Sequence, residues 1–178
     1  ARIEYWQHGG RCNTDAVDNS AGVDCSDHEV NIKILLGGVV QAGHLDIEQR
    51  NELLKSMTDE VAALVLRNNY LQTQMLAMNQ LDVVKNLPAL TDLMNYLEEH
   101  AGLQRKIEFL PDAVQVQQRL ASQQGLANPE IAVLMAYSKM HLQDALLAGD
   151  LPDDVAFNQV LVRYFPEALQ TQYQAEIE

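Results

Sequence analysis

The sequence predicts an all-α protein, a helical bundle preceded by a short extended segment. Three observations carry this expectation. Apolar residues recur at three- and four-residue intervals over most of the chain, the period of an amphipathic helix. All five prolines lie from Pro88 onward, and Gly125 precedes Pro129, as Gly149 precedes Pro152, by a few residues, which reads as helix stop followed by helix start. Convincing period-two alternation is confined to residues 2–6.

Taken in order, Arg2 to Trp6 reads as a short strand without a partner, so its sheet would lie in sequence upstream and the first dozen residues are expected to be poorly ordered or displaced. Ser26-x-x-Glu29 has the capping-box pattern and leads into Val30, Ile32, Ile34, Leu35 and Leu36; a long helix is expected to start near Val23 to Ser26 and to stop at Gly37-Gly38. Further helices are expected at 46–56, 59–81, 88–101, 112–124, 129–148 and 153–165. Thr58 precedes the second of these as a candidate N-cap, with Val61, Leu64, Val65, Leu71, Met75 and Met78 on the buried side. Leu90, Leu93, Met94, Leu97 and Ala101 form one stripe, and Ile131, Leu134, Met135, Leu142, Ala145 and Leu146 another. Pro129 and Pro152 sit in first turns beside Glu130, Asp153 and Asp154, acids that complement the positive end of the helix dipole.

The 178 residues fit one domain with an appendage. A net charge of -13 without any Lys/Arg cluster argues against nucleic acid and anionic membrane as partners, because both are bound through basic patches. No apolar stretch approaches the roughly 20 residues of a membrane span. Cys12 and Cys25 are the only cysteines and build neither a disulfide framework nor a four-cysteine metal site; a cytoplasmic location is the expectation.

The stretch from Asn13 to Lys33 concentrates Asp15, Asp18, Asp24, Asp27 and Glu29 around small residues, with too few apolar side chains for burial to explain it. It reads as part of an active site. Standard motifs are absent: Gly38 to Gly43 has phosphate-loop spacing, but His44 and Leu45 stand where Lys and Ser/Thr are required. No G-x-G-x-x-G occurs, and no alternating oxygen ligands of an EF-hand surround Asp15 to Asp24. Cys25-x-x-His28 offers two zinc ligands with nothing to fix the others, so no metal site is assigned. The acids around Cys25 oppose a lowered thiol pKa. The pairs Asp15/Asp18 and Asp24/Asp27 suit either acid–base work or capping of a helix start. Asn19 carries an amide that both donates and accepts, as reading a carboxamide requires, and Ser26 suits either an N-cap or a carboxylate contact.

NTDAVDNSAGVDCSDHEVNIKILL resembles the end of the catalytic region of the large bacterial NAD-specific glutamate dehydrogenases, and residues 126–166 resemble the helical C-terminal region of the same family. The resemblance implies that residues 1–40 end the catalytic region, the extended segment being left over from an α/β cofactor-binding domain, and that 41–178 form a C-terminal helical bundle. It implies a parent enzyme that oxidatively deaminates L-glutamate to 2-oxoglutarate and ammonia, passing hydride to NAD. The smaller hexameric glutamate dehydrogenases carry a related pattern, Asp-x-x-x-Asn-Ala-Gly-Gly-Val-x-x-Ser, which Asp15, Asn19, Gly22, Val23 and Ser26 match in order and spacing. By that match Asn19 contacts the nicotinamide side of the cofactor and Ser26 the side-chain carboxylate of glutamate. Ser20 and Ala21 depart from it, standing where the smaller enzymes have Ala and Gly.

No catalytic residue is assigned within the chain, since the resemblance puts the catalytic Lys and Asp and the glycine-rich cofactor turn upstream. The isolated chain is expected to be inactive and not to hold NAD tightly. Its implied partners are the rest of the same polypeptide and, for the full-length protein, further copies in a homo-oligomer. The alternative reading is a helical interaction or assembly module without a catalytic role.

Overall fold

The computed structural model describes residues 1–178, of which 76% are helical and none is in a strand. In chain order the helices are α1 (Arg2–Gln7), α2 (Asp15–Asp18), α3 (Ser20–Gln41), α4 (Ile47–Ser56), α5 (Thr58–Leu81), α6 (Leu87–His100), α7 (Arg105–Glu108), α8 (Ala113–Ala121), α9 (Asn128–Leu147), α10 (Asn158–Tyr164), α11 (Glu167–Gln172) and α12 (Gln174–Ile177), with two 3-10 turns at Leu151–Asp153 and Val155–Phe157. No helix is long and apolar enough to cross a membrane.

The chain divides into two compact units. The first comprises residues 1–18 and 71–149. In it α9 packs against α6 and α1, and α8 against α6. Its core is built from Leu87, Leu90, Met94 and Leu97 of α6 and Ile131, Ala132, Leu134 and Met135 of α9, with Val17, Leu76 and Val116. Asp112 caps α8, accepting from Gln115 N at 2.8 Å while the Gln115 side chain accepts from Asp112 N at 2.9 Å. Glu130 does the corresponding work for α9, accepting from Ala127 N at 2.6 Å.

The second unit comprises residues 19–70 and 150–178. Here α3 packs on α4 and α12, and α10 on α11 and α12. Ile32 and Leu36 of α3 meet Met57, Val162, Phe165, Leu169 and Ile177 in a separate core. Asp46 and Gln49 form a reciprocal capping box at the start of α4.

Several expectations need correction. Residues 2–6 are helical, not extended: an unpaired strand leaves its backbone groups without a ladder, whereas α1 satisfies them internally and stops at Gly9 with φ +88°. Nor are the first residues displaced, since α1 packs on α9. The long helix starts at Ser20, so Ser26 lies inside it and caps nothing; it also runs through Gly37-Gly38 to Gln41, because burial of Ile32, Leu36 and Val39 outweighs two poor helix formers. Thr58 is the first residue of α5 and bonds back to Lys55 O at 3.0 Å, so it is not that helix's cap.

The apolar stripe of α5 also differs. Val65 and Leu76 are buried, whereas Leu71, Met75 and Met78 are exposed. Eleven residues make about three turns, so Val65 and Leu76 share one line, from which Leu71 lies somewhat over a third of a turn away and Met78 nearly half a turn. Residues 153–165 hold a 3-10 turn before α10, with the Asp154 side chain accepting from Ala156 N at 2.8 Å.

Candidate functional site

Each face of α3 has its own composition. His28, Ile32, Leu36 and Val39 are buried. At about 100° per residue, Asn19, Val23, Ser26, Val30 and Ile34 lie within about 80° of one another on the opposite side. All five are exposed. Asn19 and Ser26 are seven residues apart, two turns, so they share a face with about 10 Å between them along the axis.

Asn19 is the residue before the first turn of α3, with φ -100° and ψ 5°, and its side chain makes no capping bond. Its Oδ1 stands 2.7 Å from where a Cβ on Gly22 would be, so the carboxamide lies against the glycine backbone. The carboxamide and the Ser26 hydroxyl have no protein partner, and both are open to a ligand. An amide and a hydroxyl presented on one helical face can hydrogen-bond two polar groups of one bound assembly, the amide as donor and acceptor together.

The acids are differently employed. In the first unit, Arg2 bridges Asp15 and Asp18 and donates to Asn13 O at 2.7 Å. The hydrogen bond to Asp18 is the main reason the Arg2 guanidinium holds its proton more tightly than usual. Two carboxylates shared with one guanidinium fasten α1 to α2 and are unsuited to proton transfer. In the second unit, the bond from Lys33 holds the Glu29 carboxyl below its ordinary pKa. Asp24 accepts from Asn68 Nδ2 at 2.9 Å.

Cys25 is exposed while His28 is buried and stacked on Tyr164, ring centroids 4.4 Å apart and planes 11° from parallel, so the two do not converge. No three ligating side chains group to hold a metal ion. The contacts that the sequence concealed are those of Asn68 and Asn69: the latter donates to Ser20 Oγ at 2.7 Å. Two successive asparagines inside a long helix were the available signal, since asparagine is a poor helix former.

Residues 1–79 match the family model described as the bacterial NAD-glutamate dehydrogenase catalytic domain, and residues 123–178 match the glutamate dehydrogenase C-terminal model. The chain belongs to the bacterial NAD-specific glutamate dehydrogenase family. It is 46% identical over 176 residues to the NAD-specific glutamate dehydrogenase of Mycobacterium tuberculosis, covering 99% of this chain and 11% of that protein. The Pseudomonas aeruginosa protein of the same name is 47% identical over 173 residues, and that of Halomonas elongata 43% over 176, again with 11% of each covered. The chain thus spans about a ninth of the length of the curated relatives it matches. The α3 face lies within the segment matched by the catalytic-domain model.

Proposed function

We propose that this chain is one piece of an NAD-dependent glutamate dehydrogenase, and that the exposed face of α3 forms one wall of its glutamate and NAD site. The observation that carries this reading is the shared face of Asn19 and Ser26, both without protein partners, in the segment matched by the catalytic-domain model. The unpartnered carboxamide of Asn19 over Gly22 suits the carboxamide side of a nicotinamide. NAD, when bound, supplies the hydride acceptor. Ser26, two turns along, donates its hydroxyl proton to the side-chain carboxylate of L-glutamate, fixing which end of the substrate points along the helix.

In this reading residues 1–40 end the catalytic part and 41–178 form the C-terminal bundle, in a cytoplasmic protein that assembles as a homo-oligomer. The rest of the polypeptide supplies the proton-transferring groups, so the isolated chain reduces no NAD with glutamate. In the full-length enzyme, Ser26→Ala should raise KM for glutamate at least tenfold, and Asn19→Ala should raise KM for NAD or lower kcat. Unchanged kinetics in both variants would refute the assignment.

A second reading, that the helical region serves assembly, is favoured by Leu71, Met75, Met135 and Leu142 lining a shallow apolar groove in the first unit. Deletion of residues 126–178 from the full-length protein separates the two: loss of assembly with chemistry retained supports the scaffold.

A further inference from the structure

We infer that Asn68 and Asn69 are positioning residues, which set the roll of α3 and so aim Asn19 and Ser26. The inference rests on the site reading above. Both asparagines direct their side-chain amides to α3, Asn69 Nδ2 to Ser20 Oγ at 2.7 Å and Asn68 Nδ2 to Asp24 Oδ2 at 2.9 Å. Ser20 and Asp24 are one turn apart and lie within the part of α3 between Asn19 and Ser26. Two attachment points a turn apart restrain both rotation about the helix axis and sliding along it, whereas one would act as a pivot. Alanine at position 20 would remove the Ser20 oxygen that accepts from Asn69.

The clamp continues into the buried side. The other oxygen of Asp24 is 3.7 Å from His28 Nε2, and the His28 ring stacks on Tyr164, whose hydroxyl accepts from Asn31 at 3.0 Å. Ser20 and Asp24 lie roughly 100° to 140° around the helix from Asn19, so Asn68 and Asn69 act on that face through α3. A roll of about 20° would carry a side-chain tip at about 6 Å radius by about 2 Å. Misplacement by about 1 Å is enough to cost on the order of a hundredfold in rate.

The test uses the full-length enzyme. Asn68→Ala and Asn69→Ala should each lower kcat/KM for glutamate at least tenfold, with the folded fraction by circular dichroism unchanged. Asn69→Asp, which accepts the Ser20 hydroxyl proton, should keep most activity. Asn68→Asp combined with Asp24→Asn reverses the second hydrogen bond at constant net charge and should restore what Asn68→Asp alone loses. Wild-type kinetics in both alanine variants would overturn the inference, as would losses that the reversed pair and Asn69→Asp fail to recover. Ser26→Ala and Asn19→Ala, measured alongside, separate the failures: if they impair turnover and the Asn68 and Asn69 variants do not, only the clamp falls; if they too are silent, the site reading falls with it.

Discussion

Oδ1 of Asn19 stands 2.7 Å from the position a Cβ on Gly22 would occupy, so the glycine is what lets the carboxamide lie against the start of α3. Gly22 has no positive φ, and alanine there suits the helix better by about 0.5–1 kcal/mol. The obstructed atom ends a short exposed side chain that can swing away. Gly22→Ala should therefore leave the fold intact or slightly more stable while displacing the Asn19 amide. In the full-length enzyme KM for NAD should rise several-fold as the urea midpoint stays level or increases. A variant with unaltered cofactor kinetics would show that this placement of Asn19 is not the functional one.

Arg119 donates to both carboxylate oxygens of Glu130, at 2.7 and 2.8 Å, and Glu130 is fully buried. The same carboxylate accepts from Ala127 N at 2.6 Å and so starts α9. Removing one partner strands a charge in the interior: Arg119→Ala should cost about 3–5 kcal/mol in denaturant unfolding, well above an exposed ion pair. Replacing both residues by apolar ones of similar volume should cost less than the single change, which a double-mutant cycle measures.

Much of the bundle is legible in the sequence where one face of a helix is apolar and the other is not. The buried Leu90, Met94 and Leu97 of α6 follow directly from their spacing. α5 is misread because its apolar residues occur on several faces, and only packing selects the line through Val65 and Leu76. Arg2 to Trp6 alternates like a strand, yet a strand is defined by a partner that no short window contains. The seven-residue spacing of Asn19 and Ser26 implies a common helical face; the bonds from Asn68 and Asn69 span 44 and 49 residues and lie beyond any local pattern.

Tyr137 donates its hydroxyl proton to Glu108 Oε1 at 2.8 Å, and this bond is the main reason the phenol is held above its ordinary pKa. Because the folded-state value is raised, the contribution is complete below the unfolded pKa of about 10 and is lost as pH rises through the folded value. Stability should thus fall more steeply above pH ~10 in the natural chain than in Tyr137→Phe. At neutral pH the substitution should cost about 1 kcal/mol, since the ring remains and one half-buried bond goes. Parallel pH dependences for the two proteins would rule out this bond as the source.

The glycines supply a test in which one substitution changes sign with its surroundings. At Gly37 and Gly38, inside α3, an added Cβ would meet nothing within 4 Å, and neither has a positive φ. Alanine at either should stabilise the chain by about 0.5–1 kcal/mol through helix propensity and a less disordered unfolded state. At Gly125 an added Cβ would come within 2.6 Å of a Val83 methyl and 2.9 Å of the Val83 backbone, which cannot yield as a side-chain tip can. Gly125→Ala should cost about 1–3 kcal/mol, the range for forcing extra volume into a packed site. Urea unfolding of the three variants gives the comparison: two midpoints should move up and one down. Should Gly37→Ala stabilise this chain but destabilise the full-length protein, another part of that polypeptide must lie against the same exposed face of α3 that carries Asn19 and Ser26.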